Sequence, residues 1–173
     1  MKKFKLTPET INVYGITLFR IEALIAFANI SIGEKGGYVE KESNLDHSGD
    51  AWVYGDAWVY GNAQVSGDAR VYGNAQVSGD AQVSGDARVY GNARVCGDAE
   101  VYERRSIIWF PVVGTENGTL TVYKSKDGSL FATRGCFSGT VDEFLAKSAQ
   151  VHDEKTKREY ELLIEAAKYR ILG

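Results

Sequence analysis

Only two imidazoles in this chain, His47 and His152, could serve as a general base, and a base must lie within hydrogen-bond reach of the group it deprotonates. His47 falls in a short irregular stretch, with Glu40 and Asp46 nearby, where charged residues around turns are ordinarily solvated. His152 falls in the link between two expected helices. The two cysteines, Cys96 and Cys136, have no CxxC partner and are too few for a disulfide framework. No phosphate-binding loop, dinucleotide fingerprint or nucleophile elbow is present. Residues suited to binding are more plentiful. Trp52, Tyr54, Trp58, Tyr60, Arg70, Tyr72, Arg88 and Tyr90 fall at regular intervals, and Trp, Tyr and Arg dominate the energetics of protein interfaces.

Those intervals come from a repeat. From Ala51 to Arg104 one six-residue phrase recurs nine times without insertion: Ala, any residue, Val, Tyr or Ser, Gly, Asp or Asn. Ala51-Trp52-Val53-Tyr54-Gly55-Asp56 is the first copy and Ala99-Glu100-Val101-Tyr102-Glu103-Arg104 the last. On an extended segment residues two apart point to the same side, so each Ala and Val would line a narrow interior. The Gly-Asp or Gly-Asn pair is turn chemistry, because these residues tolerate positive φ at a corner. Six residues per side and three sides per coil describe a triangular β-solenoid in which stacked coils bury one continuous core.

Stacking residues 18 apart assigns the outer faces. One face carries Tyr54, Tyr72 and Tyr90, with Trp52, Arg70 and Arg88 in the column beside it. A second carries Trp58, Gln76 and Arg94 beside Tyr60, Ser78 and Cys96. The third carries Gln64, Gln82 and Glu100 beside Ser66, Ser84 and Tyr102. Adjacent coils lie roughly 4.8 Å apart, so side chains within a column touch. Such a ladder stabilises an exposed sheet. An exposed aromatic column is also unusual for a monomer, and the Tyr, Trp and Arg residues are therefore expected to form an oligomer seam or a ligand face.

Three segments follow. Residues 1–36 are expected to form an N-terminal β cap, with strands at Phe4-Lys5-Leu6 and Ile16 to Ile21 separated by Thr7-Pro8-Glu9 and a turn near Gly15. Residues 37–104 form the solenoid. It begins with degenerate copies at Gly37-Tyr38-Val39 and Ser43-Asn44-Leu45, and His47 and Ser48 are two extra residues before Gly49-Asp50. Residues 105–173 form a small α+β module that closes the far end. Ile107 to Phe110 and Val112-Val113 read as a strand interrupted by Pro111, and Leu120–Tyr123 and Leu130–Thr133 flank a hairpin turn at Lys126-Asp127-Gly128. Thr140 opens a helix with a capping box, and Asp153 caps a longer one carrying Tyr160, Leu163, Ile164, Ala167 and Ile171 on one stripe.

A net charge of −3, from 20 basic and 23 acidic residues, sets up no global field for nucleic acid or an anionic membrane. There is no apolar run of about 18 residues and no signal-peptide core, so a cytoplasmic protein is expected. The corner residues Asp56, Asp68, Asp80, Asp86 and Asp98 are too dilute to mimic DNA.

The repeat resembles the hexapeptide-repeat family, which implies a left-handed parallel β-helix and, commonly, homotrimers. The best-known members are acyltransferases that use a His as base, and the resemblance would give that role to His47. Neither His lies on a long loop projecting from a coil, so this reading is the alternative. Carbonic anhydrases of the same fold bind zinc through three His across a trimer interface, and no coil here carries one. Leu18-Phe19-Arg20-Ile21-Glu22-Ala23-Leu24, Gly36-Gly37-Tyr38-Val39-Glu40 and Gly135-Cys136-Phe137-Ser138-Gly139-Thr140-Val141-Asp142-Glu143-Phe144 are similar to motifs of uncharacterised phage and prophage hexapeptide-repeat proteins. That resemblance implies a mobile-element origin and supplies no catalytic residues. The expectation is a non-enzymatic, oligomeric binding protein without metal or cofactor. It would sequester a host component, either a defence protein or a small nucleotide signal, in the host cytoplasm if phage encoded. A structural assembly protein is the remaining alternative.

Overall fold

A computed structural model describes the whole chain, Met1–Gly173, as a mainly β protein with two C-terminal helices. Its strands are β1 (Phe4–Val13), β2 (Ile16–Ala23) and β3 (Lys35–Val39), then nine two-residue strands. These are β4 (Trp52–Val53), β5 (Trp58–Val59), β6 (Gln64–Val65), β7 (Arg70–Val71), β8 (Gln76–Val77), β9 (Gln82–Val83), β10 (Arg88–Val89), β11 (Arg94–Val95) and β12 (Glu100–Val101). They stack in parallel into three sides: β4-β7-β10, β6-β9-β12, and β5-β8-β11, the last joined through β3 to β2 and β1. The partners are 18 residues apart, as the hexad repeat requires: Arg70 pairs with Arg88 and Gln76 with Arg94.

The inward assignment holds. All nine Ala and all nine Val of the repeat are buried, none more than 2 % exposed. Because the period is two, the residue between each Ala and Val must face outward, while backbone N–H groups of one coil donate to carbonyls of the next, as Gln76 does to Ala93 at 3.0 Å. At the corners the chain turns through positive φ. Gly79 has φ +67°, and a Cβ there would sit 2.7 Å from the Gly97 nitrogen, so only glycine allows the coils to approach this closely.

The first coil is irregular. Leu45 pairs with Val65, 20 residues on, which accommodates the insertion at His47 and Ser48. A 3-10 turn at Glu42–Asn44 removes two ladder donors, and the buried Asn44 amide replaces them by donating to the Gly61 and Ala63 carbonyls at 3.2 and 2.9 Å. β3 spans the expected boundary at residues 36 and 37. It pairs antiparallel with β2 and parallel with β5, so cap and solenoid share one sheet. The break expected at Thr7-Pro8-Glu9 is absent. β1 runs through it with a register shift between Leu6 and Thr10, which is where an edge strand tolerates proline.

Beyond the last coil, β13 (Ile107–Val113), β14 (Gly118–Lys124), β15 (Leu130–Arg134) and β16 (Phe137–Thr140) form an antiparallel sheet, followed by α1 (Val141–Val151) and α2 (Glu154–Leu172). The sequence reading found all of these except β16. Pro111 is accommodated by a bulge between Phe110 and Val113, with Val112 at φ +58°. Alternation splits the sheet cleanly. Leu120, Val122, Leu130 and Ala132 join a core with Phe144, Tyr160, Ile164, Ala167 and Ile171, while Tyr123 belongs to the solenoid core. Thr140 and Asp153 cap the two helices as expected, accepting from the Glu143 and Thr156 amides. No helix is long and apolar enough to cross a membrane.

Candidate functional site

The eight aromatic and Arg residues singled out by their spacing do not form one face. They separate into three environments. Trp52 is fully buried, with Phe4 and Phe27 packed edge-on against it at ring-centroid distances of 6.3 and 5.3 Å. It does point out of its coil, but the N-terminal segment covers that position, so it takes no part in any exposed surface. Trp58 and Tyr60 lie on a different side of the prism. There they are half-buried against a small cluster of Val13, Leu18 and Tyr38 supplied by the hairpin β1–β2 and by β3. Their apolar area is already occupied within the chain.

Tyr54, Tyr72 and Tyr90 do form a column, on the side made by β4, β7 and β10. Tyr54 meets Tyr72 edge-on at 6.3 Å, and Tyr72 stacks on Tyr90 at 4.7 Å with 6° between planes. The 18-residue repeat places these rings above one another, and ring stacking then orders them. Exposure rises along the column: Tyr54 and Tyr72 are half-buried and Tyr90 is exposed. Arg70 is committed internally. It lies over the Tyr54 ring at 5.8 Å, donates to the Tyr54 hydroxyl, and donates to Asn29 Oδ1 at 2.9 Å. Burial raises the Tyr54 pKa, with Arg70 opposing it, so the hydroxyl stays protonated at neutral pH.

The column continues into the C-terminal module. Trp109 meets Tyr90 at 4.5 Å and 90°, and Arg104 and Arg170 flank the same groove as Arg88. Trp109 and Arg170 escape the sequence reading because they lie beyond the repeat, and Arg104 because it stands at a corner position where the other copies carry Asp or Asn. One signal was available: a further step of 18 from Tyr90 lands one residue from Trp109. Arg88 and Arg170 make no side-chain hydrogen bond or ion pair, whereas Arg104 lies 3.6 Å from Asp86.

His47 is held by structural contacts. Its Nδ1 accepts from the Lys3 backbone N–H at 3.1 Å, its ring stacks on Phe4 at 4.4 Å, and its Nε2 faces Glu42 Oε2 at 3.6 Å. With Nδ1 accepting, the proton of the neutral ring sits on Nε2, which leaves no free lone pair for a base. His152 is the C-cap of α1 and shares a 2.9 Å hydrogen bond with Ser148. Cys96 contacts the Tyr123 and Ser138 hydroxyls, and Cys136 is exposed. No three His, Cys, Asp or Glu side chains converge.

A repeat built this way has counterparts. No curated protein matches the chain. A family model described as the YdcK beta solenoid repeat matches residues 63–80 and 81–97, two consecutive stretches within the regular coils, so over this part of the solenoid the chain is similar to that family.

Proposed function

We propose that this chain is a non-enzymatic, oligomeric binding protein that works through the Tyr–Arg side of its solenoid. The observation that carries this reading is the continuous ladder Tyr54–Tyr72–Tyr90–Trp109, bordered by Arg88, Arg104 and Arg170, on a sheet that is rigid by construction. Aromatic and Arg side chains pre-positioned on such a sheet lose little entropy on binding and require no proton transfer. The contacts at His47 support the same reading, because a His base needs a free ring nitrogen and both nitrogens of His47 face structural partners.

The assembly is a homotrimer packed side by side, with the left-handed coil that the hexapeptide-repeat resemblance implies. Its biological role is to occupy or sequester a host component, a defence protein or a nucleotide signal, on behalf of a phage or prophage. The test compares capture of ligand from host lysate and nucleotide pools by three proteins, with mass spectrometry of what is retained. Wild type and His47→Ala/His152→Ala should retain the same species, and Tyr72→Asp should retain none. Light scattering of wild type at micromolar concentration should show an oligomer that Tyr72→Asp splits. Loss of the effect in a folded His-free variant, with turnover of an acyl donor by wild type, would turn the reading to acyl transfer.

A further inference from the structure

The groove where the tyrosine column meets the C-terminal module combines aromatic, aliphatic and arginine side chains. Its volume is about 410 Å³, and it is lined by Tyr72, Arg88, Tyr90, Arg104, Ile107, Ile108, Trp109 and Arg170. The lining contains three arginines and no carboxylate, in a chain whose net charge is −3. Asp86 sits 3.6 Å from Arg104, and both are more than half exposed, so that pair is screened and weak. Arg88 and Arg170 have no anionic partner. Like charges gathered on one wall repel, and a bound anion relieves that repulsion.

We infer that this groove binds a phosphorylated small molecule carrying a planar ring, of about the size of a single nucleotide. Guanidinium groups present forked donors that match phosphate oxygens in pairs, which suits Arg88 and Arg170 to the phosphates, with Arg104 reinforcing them. Tyr90 already has one face against Tyr72, so Trp109, half-buried and at right angles to Tyr90, is the ring available to stack a planar group. Ile108 supplies the adjacent apolar wall. A volume of about 410 Å³ lies within the usual range for small-molecule sites, roughly 300–1,000 Å³. The groove takes arginines from β10, from the turn after β12 and from the end of α2, so it exists only when the module is docked on the solenoid.

This inference rests on the reading of the Tyr–Arg side as the binding side. Calorimetry on the full chain with GDP, pyrophosphate and guanosine tests it. GDP should bind most tightly, pyrophosphate more weakly and guanosine least, and the affinity for GDP should fall as salt rises. Arg88→Ala and Arg170→Ala should each weaken GDP about tenfold, a typical value for a lost charge-assisted contact, without changing the fold, since neither side chain has a partner. Trp109→Leu should weaken GDP roughly tenfold, as loss of one stacked base does, and leave pyrophosphate unchanged. Absence of GDP and pyrophosphate binding, or GDP binding indifferent to Arg88→Ala, overturns the inference. Retention of a host protein through Tyr72 with no GDP binding sinks the groove and leaves the binding-protein reading standing. GDP binding at Arg88 in a protein that turns over an acyl donor does the reverse.

Discussion

At its N-terminal end the solenoid is closed mainly by further backbone pairing, whereas at its C-terminal end no further coil follows and, apart from one bridge between Ala99 and Ser125 and the bond from the Lys126 N–H to the Asp98 carbonyl, side-chain hydroxyls take over. β3 extends the ladder under β5, and Leu45 pairs with Val65. The carbonyls left over are met by groups that donate more than once: the Asn44 amide reaches Gly61 and Ala63, and the buried Lys3 ammonium reaches Gly49 and Ala51 at 3.2 and 2.7 Å. At the other end β11 exposes both donors and acceptors. There Thr121 accepts from the Arg94 N–H, Thr133 donates to the Arg94 carbonyl, and Tyr123 Oη both accepts from the Cys96 N–H and donates to the Cys96 carbonyl. Ser125 donates to the Asp98 carbonyl in the same way. The difference follows from what each group can do. An ammonium only donates, so it suits a place with two carbonyls; a hydroxyl does both, so it suits a strand edge with alternating groups. Each end thereby hides an edge that would otherwise recruit another strand.

The largest effect should come from the coils between the ends. Val77 is fully buried, and Val77→Asp places an unpaired carboxylate in an apolar prism, costing several kcal/mol, so no soluble folded protein is expected. Circular dichroism of the expressed protein checks this, and Gln82→Ala on an exposed position should shift stability by less than about 0.5 kcal/mol.

Asn44→Leu would leave two buried carbonyls unpaired and lose the bond from the Lys41 amide, a cost of about 3 kcal/mol in denaturant unfolding. A neutral result would mean that β3 alone closes the N-terminal end. Tyr123→Phe removes one oxygen from the opposite end and should cost about 2 kcal/mol. Hydrogen exchange should then quicken at Cys96 while Val77 and its neighbours stay protected. Equal quickening along the whole solenoid would show that the two ends are not separate devices.

The smallest effect concerns Lys3. Burial lowers its pKa, with Asp46 and Asp50 opposing, so below the ordinary lysine value the folded protein binds fewer protons here than the unfolded chain. Stability from this locus therefore rises with pH through that window, and the cost of Lys3→Met, about 1 kcal/mol at neutral pH, should grow as pH approaches the ordinary lysine value. Thermal unfolding of both proteins across the alkaline range measures it. A difference that stays flat would place the ammonium in water, and one that shrinks would mean that Asp46 and Asp50 outweigh burial.

The hexad period determined more of this protein than its short strands could have done alone. A small and a β-branched residue at fixed spacing, with Gly at each corner, specify inward faces, coil length and stacking register, because all three depend only on neighbours along the chain and one repeat away. Val59, Val77 and Val95 were legible for that reason. The helices were legible too, since a capping Thr140 or Asp153 and an apolar stripe are local signals. The candidate site was legible only in part. Trp52 and Tyr54 are two residues apart on the same side of one coil, yet Phe4 and Phe27 bury the first and leave the second half open. Trp109 and Arg170 reach Tyr90 from outside the repeat. Which outward residues meet solvent depends on what the two caps cover, and that is set by packing between segments up to about a hundred residues apart, where no period operates.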